Sequence, residues 1–138
     1  MVKLMMNSCI LNFGIPEYLV PDRLILHISD NWFHEGFVKC TLMMTQGEGM
    51  VCFSEEVEYP GTLLIHDLSV TNIFREMGYG KRLMHSVEKI AKSLDFCKCS
   101  LYVREDSWQK DWYLRLGYTI EPESETDEGY IKMVKKLY

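Results

Sequence analysis

The chain has 138 residues, of which 47% are hydrophobic and 25% are charged, and its formal net charge is −5 at pH 7. This length and composition predict one globular domain over residues 1–138, and the negative charge without a basic run argues against nucleic acid as the main partner. No apolar run approaches the ~18 residues of a membrane span and the N-terminus lacks a signal-peptide pattern, so we expect a cytoplasmic protein with no membrane partner.

The first third of the chain has the least definite pattern. Residues 1–22 contain an apolar run broken by glycine and proline, which fits either a strand or a short helix. Residues 23–29 predict a strand that ends in an Asp-Asn turn. Residues 37–45 and 50–57 flank the turn sequence Gln-Gly-Glu-Gly and therefore predict a β-hairpin.

A buried strand and an amphipathic helix are predicted next. Residues 63–70 form an apolar run rich in β-forming residues, and strict alternation would place His66, Leu68 and Val70 on one face. In residues 80–94 the apolar side chains recur at helical spacing, while lysine, arginine and serine occupy the other side. This pattern predicts a helix packed on a sheet.

The turn between these two elements is the main candidate for a binding site. Gly78 and Gly80 have no Cβ, so the backbone can turn sharply and approach a ligand with the first helical N–H groups directed at it. Such amides bind anions such as a phosphate or pyrophosphate, and Arg75, Lys81 and Arg82 add positive charge. The Walker A and dinucleotide-binding patterns both fit poorly. The alternative is a tight turn with no ligand.

The last third continues the alternation of strands and helices. Residues 97–104 predict a strand with one apolar face. Ser107 can cap a helix that ends at Gly117. Residues 118–120 and 130–137 then predict a final pair of strands.

The chain contains five cysteines. Cys97 and Cys99 lie on the core face of the predicted strand and lack the two-residue spacing of a zinc site, so buried thiols are favoured over a metal site. An odd number of cysteines without an export signal also predicts reduced thiols. We therefore expect no metal.

The segment around the glycine turn resembles a known family. The central motif of the GNAT superfamily of N-acetyltransferases, written Q/R-x-x-G-x-G/A, opens a helix after a strand. The matching segment of this chain reads Leu68-Ser69-Val70, then Arg75-x-x-Gly78-x-Gly80. A later segment, residues 106–118, is similar to the family's second motif, in which Tyr113 is followed by Gly117 and Tyr118.

The resemblance implies a fold and a co-substrate. The fold would be α/β (α+β), a mixed central sheet of six to seven strands flanked by helices, with a shortened N-terminal helical region because two convincing helices cannot be found there. The co-substrate would be acetyl-CoA. Its contacts, by the family pattern, are Leu68, Ser69, Val70, Arg75, Glu76, Met77, Gly78, Tyr79, Gly80, Lys81, Asp106 and Tyr113. Asp106 and Gln109 replace the family's usual Asn and Ala, which weakens the expectation at those positions.

The resemblance also implies three catalytic groups. The backbone N–H of Leu68 would hydrogen-bond the thioester carbonyl, and Tyr113 would protonate the departing thiolate. His66 and the residues up to Arg75 are similar to arylalkylamine N-acetyltransferases, in which a histidine at the matching position helps to remove the amine proton. An ordered water is the alternative base. For the side chains of His66 and Tyr113, the alternative is a role in packing alone.

We therefore predict an N-acetyltransferase that transfers an acetyl group from acetyl-CoA to a primary amine by direct attack in a ternary complex. The acceptor would be a small-molecule amine or the lysine or N-terminal amine of a peptide. Its identity stays open, as does the oligomeric state, for which a homodimer is one option. The alternatives are an acyl-cysteine route, an inactive CoA-binding or protein-interaction module with the same fold, and a structural protein with an empty turn.

Overall fold

The computed structural model describes residues 24–32, 37–56, 61–122 and 128–138. The strands are β1 (Leu24–Trp32), β2 (Phe37–Met44), β3 (Gly49–Glu55), β4 (Thr62–Val70), β5 (Lys98–Arg104), β6 (Thr119–Ile120) and β7 (Tyr130–Lys136). The helices are α1 (Tyr79–Ser93) and α2 (Trp108–Arg115), with a short 3-10 turn at Asn72–Phe74. The alternatives for residues 1–22 lie outside the described residues.

The described strands form one mixed sheet in the order β1-β2-β3-β4-β5-β7-β6. Neighbouring strands are antiparallel except for β4 and β5, which are parallel and joined through α1. The predicted α/β fold with six to seven strands flanked by helices is confirmed. One boundary was wrong: β1 continues through the expected Asp-Asn turn to Trp32, because this part of the strand still pairs with β2 at Phe37.

Helix α1 covers one face of the sheet with the apolar side that its spacing predicts. Its buried apolar side chains are Leu83, Met84, Val87, Ile90 and Ala91, and they join a single core cluster with residues of β3, β4 and β5. Burial of each of the four larger side chains stabilises the fold by about 2 kcal/mol. None of the helices in the described part of the chain is long and apolar enough to cross a membrane.

Helix α2 lies beside α1 on the same face. A Cβ atom at Gly80 would lie 3.3 Å from the ring of Trp112, so the start of α1 and α2 are in close contact. Past α2, the hydroxyl of Tyr118 donates a hydrogen bond to Glu88 of α1 at 2.9 Å. Both helices are therefore fixed to each other as well as to the sheet.

The opposite face of the sheet carries a buried polar cluster. The Lys132 ammonium contacts Glu56 at 2.9 Å, and the Ser100 hydroxyl donates to the same carboxylate at 3.0 Å. All three side chains are buried, so each satisfies the others where water is excluded. This cluster ties the end of β3 to β5 and β7.

A bulge interrupts the pairing of β3 with β4. Cys52 of β3 lies opposite Asp67, but the next residue, Phe53, lies opposite Ile65. His66 is therefore the extra residue on β4. The sequence carries no local sign of this insertion.

The bulge changes which side chains share a face of β4. Directly opposed residues of antiparallel strands point to the same side, and Leu68 lies opposite Val51, which is in the core under α1. Leu68 and Val70 therefore return to the face of Ile65. The prediction that strict alternation would place them on the face of His66 was wrong.

Candidate active site

The parallel strands β4 and β5 are paired only in their first halves. Residues 62–65 pair with residues 98–101, and the pairing stops immediately before the bulge at His66. Beyond that point the strands separate around a cleft of about 230 Å³. The cleft lies at the carboxyl ends of both strands, an edge at which open α/β sheets commonly bind ligands.

The cleft has lining residues from both faces of the sheet. On the helix face, Leu101 and Val103 of β5 are buried and α2 adds Tyr113. The alternate residues of β5 project to the opposite face. That side of the cleft is lined by polar and aromatic side chains: His66, Asp67, Tyr102, Arg104 and Tyr130. Two ligands could therefore reach the cleft from different sides.

Tyr113 is the buried residue of α2 and lines the cleft with 8% of its surface exposed. The rings of Trp112 and Tyr118 contact it edge to face, with centroids 5.0 and 5.8 Å away. Burial, with a smaller contribution from the Asp67 carboxylate, raises the pKa of Tyr113 to about 12. The hydroxyl is therefore protonated at neutral pH and able to donate its proton.

His66 lies at the bulge on the side of the cleft away from the helices. Its Nε2 atom is hydrogen-bonded to the Oγ atom of Ser54, a buried residue of β3. The next residue, Asp67, is exposed and lines the same cleft. The bulge thus places an imidazole and a carboxylate together at the entrance.

Leu68, Ser69 and Val70 form the part of β4 beyond the bulge. They still pair with β3 on one edge, and in the described residues the register of β4 with β5 has ended before them. The main-chain groups on that edge can therefore pair with an extended ligand as an added strand would. Of the three predicted contacts, Leu68 is the one that lines the cleft.

The glycine turn has the backbone that an anion site requires. Gly78 is the N-cap of α1 with φ +82°, and Glu76 is also left-handed, with φ +65°. Thr71 anchors the start of this loop, because its hydroxyl donates to the carbonyl of Gly47 at 2.9 Å. The first N–H groups of α1 have no acceptor further back in the helix, so they are directed outward at a partly positive helix end.

Basic side chains surround this helix end. A shallow cavity of about 360 Å³ lies against the first three turns of α1. Its lining residues are Gly78, Lys81, Arg82, His85, Ser86 and Lys89. In a chain with a net charge of −5, this local excess of cations favours an anionic ligand.

The other predicted contacts are distributed around the turn. Arg75 is exposed and its Nε donates to the carbonyl of Val70 at 3.4 Å. Met77 is 59% exposed, and Tyr79 packs edge to face on Phe74 with centroids 5.9 Å apart. Because Gly80 contacts α2 at Trp112, the turn adjoins the helix that carries the cleft tyrosine.

The predicted contact at Asp106 lies outside the residues that line the cleft. Its carboxylate accepts a hydrogen bond from Arg104 Nε at 3.2 Å, and both side chains are exposed. Ser107 and Gln109 line the cleft instead. Ser107 occupies the expected N-cap of α2, but its hydroxyl donates to the carbonyl of Arg104 at 2.7 Å rather than to a helical N–H group.

Of the four cysteines in the described residues, one differs from the prediction, and Cys9 lies outside them. Cys52 and Cys99 are buried, and burial raises the pKa of the Cys99 thiol to about 12. Cys97 is exposed, because it precedes β5 and is not part of the core face. Among the described residues, no group of three or more His, Cys, Asp or Glu side chains is arranged to hold a metal ion.

Five residues near the cleft were not singled out from the sequence. Tyr102 and Arg104 could have been identified, because they lie on the polar face of the strand predicted over residues 97–104. Ser54, Asp67 and Tyr130 could not, since their proximity depends on the bulge and on the pairing of β5 with β7.

Comparison with known proteins identifies the same fold. A family profile described as acetyltransferase (GNAT) domain matches residues 34–120, more than half of the chain. PaiA N-acetyltransferase from Thermoplasma acidophilum, solved in complex with coenzyme A, is 22% identical with a TM-score of 0.60, and the match covers 71% of this chain and 59% of that one. An acetyltransferase from Bacillus subtilis in complex with CoA is 16% identical with a TM-score of 0.60 and coverage of 83% and 99%. Ard1 from Thermoplasma volcanium is 21% identical with a TM-score of 0.57 and coverage of 74% and 70%.

At these identities the structural matches show a shared fold, and the chain spans less than two thirds of the Thermoplasma acidophilum protein. The comparison with curated protein sequences gives no significant match. The profile match covers the hairpin, the glycine turn and α2. The family expected from the two motifs is thus confirmed, and the chain belongs to the GNAT family of acetyltransferases.

Proposed function

We propose that the protein transfers an acetyl group from acetyl-CoA to a primary amine by direct attack in a ternary complex. The observation that carries this proposal is the position of Tyr113, which lines the split between β4 and β5 on a helix in contact with the glycine turn. A ligand anchored by phosphates at the turn would present its thioester to that split.

The coenzyme would enter from the helix side. Its pyrophosphate would accept hydrogen bonds from the first N–H groups of α1. Lys81 and Arg82 line the shallow cavity beside that helix end and would add positive charge. Its pantetheine arm would lie along the open edge of β4 at Leu68, Ser69 and Val70. There the N–H of Leu68 would donate to the thioester carbonyl and stabilise the oxyanion.

The acceptor would enter from the opposite side. An amine with pKa ~10.4 is almost fully protonated at neutral pH, so it must lose a proton before it can attack. His66 is the proposed base, either directly or through an ordered water, and the Asp67 carboxylate beside it would attract the cationic acceptor. The acceptor can be a small amine, including an arylalkylamine, or the lysine or N-terminal amine of a peptide.

The chemical step balances with these groups. His66 first takes the ammonium proton and releases it to bulk water, which leaves a neutral amine. The amine nitrogen then forms a bond to the carbonyl carbon, the C–S bond breaks, and the nitrogen's second surplus proton passes to His66. The Tyr113 hydroxyl gives its proton to the departing thiolate, which leaves as free CoA. The products are an N-acetylated amine and CoA, and bulk water restores the protonation of both side chains.

A second function uses the same fold without the reaction. Tyr113 could be a core aromatic side chain, since its ring packs against Trp112 and Tyr118. The protein would then be an inactive CoA-binding or protein-interaction module. Both functions require coenzyme binding at the turn, and only the enzyme releases free CoA when an amine is present.

The test combines a binding and a turnover measurement. Calorimetry should detect acetyl-CoA binding, and acetyl-pantetheine, which lacks the pyrophosphate, should bind more weakly. A thiol-release assay with amines, amino acids, polyamines and lysine peptides should give CoA at a rate that depends on the acceptor. Binding without acceptor-dependent release would favour the inactive module, and no binding would refute the proposal.

A matched pair of variants tests where the coenzyme binds. Lys81→Ala should weaken acetyl-CoA binding by about tenfold, the loss expected for one charge-assisted hydrogen bond. Lys136→Ala removes an exposed lysine from the far end of β7, where it pairs with Lys98, and should leave the Kd unchanged. Equal effects of both substitutions would argue against the turn as the phosphate site.

A further inference from the structure

Trp108 is a large apolar side chain that is exposed close to the glycine turn. It is the first residue of α2, and 66% of its surface is exposed. A single exposed apolar side chain is common on protein surfaces and is not by itself evidence of a binding site. What distinguishes Trp108 is its position relative to the start of α1.

The two tryptophans of α2 lie on one side of the helix. Trp108 and Trp112 are one turn apart, a spacing that directs both side chains toward the same neighbour. The ring of Trp112 lies 3.3 Å from the position of a Cβ atom at Gly80, the second residue of α1. Trp108 therefore lies about 5 Å from this contact, toward the N-terminus of α2.

Contacts at the other end of α2 show the direction in which it runs along α1. Leu116 is the C-cap of α2, and the Lys135 ammonium donates both to its carbonyl and to the carboxylate of Glu88, each at 2.9 Å. The end of α2 thus lies beside the middle of α1, whereas Trp112 lies beside its start. The helices run in the same direction, so Trp108 is placed beyond the first residue of α1, at the helix end where the phosphates are proposed to bind.

The chemistry of acetyl-CoA indicates which of its parts would meet this indole. The pyrophosphate joins the pantetheine arm on one side to an adenosine on the other. The pantetheine arm is proposed to enter the cleft, and the residues of α2 that line the cleft are Gln109 and Tyr113. The adenosine would extend from the pyrophosphate outside the cleft, where the indole of Trp108 is exposed.

We propose that the indole of Trp108 stacks on the adenine ring of acetyl-CoA and holds the nucleotide end of the co-substrate against α2. The inference rests on the proposed function, in which the pyrophosphate binds at the start of α1. Indole and adenine are both flat π-systems, and an offset stack removes apolar area of both from water. Because the adenine is remote from the reacting carbonyl, the contact should lower the KM for acetyl-CoA rather than raise kcat.

The test compares acetyl-CoA with S-acetyl-4′-phosphopantetheine, which keeps the thioester arm and lacks the adenosine. Trp108→Ala should weaken acetyl-CoA binding by about tenfold and leave the Kd of the shorter ligand unchanged. Trp108→Phe keeps an aromatic face and should retain most of the affinity. An equal loss of affinity for both ligands in Trp108→Ala would overturn the inference, as would no loss for either.

Leu114→Ala is the matched control. Leu114 is also an apolar residue of α2 and is 41% exposed, but it is two residues from Trp112 and so lies on the opposite side of the helix. Its substitution should leave both Kd values unchanged. A change in the oligomeric state of Trp108→Ala with an unchanged Kd for acetyl-CoA would assign the indole to a contact with a second copy of the chain and overturn the inference.

Tryptophan fluorescence tests the contact in the wild-type protein. The chain has three tryptophans, and a stacked adenine quenches the emission of an indole. At saturation acetyl-CoA should therefore quench more than S-acetyl-4′-phosphopantetheine does, and the difference should disappear in Trp108→Phe. Equal quenching by the two ligands would overturn the inference even if no variant folds.

Release of free CoA tests the proposed function separately. A selective loss of acetyl-CoA affinity in Trp108→Ala, without acetyl transfer by the wild type, would refute the enzyme and leave the stacking contact standing. Acetyl transfer by the wild type with an unchanged acetyl-CoA affinity in the variant would refute the contact alone.

Discussion

The two halves of β4 belong to one continuous strand but differ in their pairing with β5. Residues 62–65 pair with β3 and β5, and Leu63 and Ile65 are buried in the core under α1. Beyond the bulged residue His66, residues 67–70 keep their pairing with β3 but are not paired with β5, so their other edge borders the cleft. The first half holds the sheet together and the second half is available to ligands.

One extra residue separates these halves. The bulge at His66 bends β4 away from β5 and turns two consecutive polar side chains, those of His66 and Asp67, to the face away from the helices. The cleft thus exists because the second half of β4 makes no hydrogen bonds to β5 in the described register. The pairing of β4 with β3 and the packing of α1 on the sheet compensate for the stability that those bonds would have added. Substitutions in the first half should change stability, and those in the second half should change chemistry.

The largest effect on stability is expected at Leu63. Its side chain is fully buried in the paired half, so Leu63→Ala should lower the free energy of unfolding by about 3 kcal/mol. Leu68→Ala makes the same change at a half-buried position beyond the bulge and should cost about half as much. Denaturant unfolding followed by tryptophan fluorescence measures both. Equal losses would show that the two halves of β4 do not differ as proposed.

The largest effect on turnover is expected at Tyr113. Tyr113→Phe keeps the ring and removes the proton, so kcat should fall by about 100-fold while acetyl-CoA still binds. Because burial raises the pKa of Tyr113 to about 12, the hydroxyl stays protonated and the Tyr113-dependent part of kcat should not decline between neutral pH and pH 10.

Tyr118→Phe is the control for this substitution. Tyr118 is a buried tyrosine in contact with the Tyr113 ring, but its hydroxyl bonds Glu88 of α1 and it does not line the cleft. Its loss should lower stability and leave kcat close to that of the wild type. Full activity of Tyr113→Phe would exclude the tyrosine as the acid.

A smaller, pH-dependent effect is expected at His66. His66→Gln should lower kcat/KM by about tenfold at neutral pH and by less above pH 9, because the free amine then becomes more abundant without a base. A fluorinated analogue of the acceptor, whose amine is largely neutral at pH 7, should show little dependence on His66. An unchanged pH profile in the variant would assign the base to another group.

Regular periodicity explains how much of the fold could be predicted. The spacing of apolar residues located α1 to within a residue, and the glycines located the turn, because these signals are local. The course of β4 was predicted correctly as a strand but incorrectly in its faces. The alternation reverses at a single inserted residue, and nothing in the sequence marks it.

Candidate site residues that belong to a sequence motif could be predicted. Those that strand pairing brings close to the cleft could not. Tyr113 and the glycine turn were identified from two sequence segments, and the structure brings these together through the contact of Gly80 with α2. Ser54 and Tyr130 reach the cleft region only through strand register, which links residues far apart in the chain. Asp106 stands at a motif position where the family usually has Asn, and its carboxylate accepts a hydrogen bond from Arg104 at the surface.

The smallest effects are expected in the glycine turn, where two glycines serve different purposes. A Cβ at Gly78 would meet nothing within 4 Å, but φ is +82°, so Gly78→Ala should cost about 1 kcal/mol through backbone strain alone. Gly78→Asn should recover part of this, because asparagine tolerates the left-handed region. At Gly80 the new methyl group would instead press on Trp112 at 3.3 Å, so Gly80→Asn should be worse than Gly80→Ala. Unfolding measurements on the four variants separate backbone strain at Gly78 from steric contact at Gly80. If alanine and asparagine ranked in the same order of stability at both positions, this account would be contradicted.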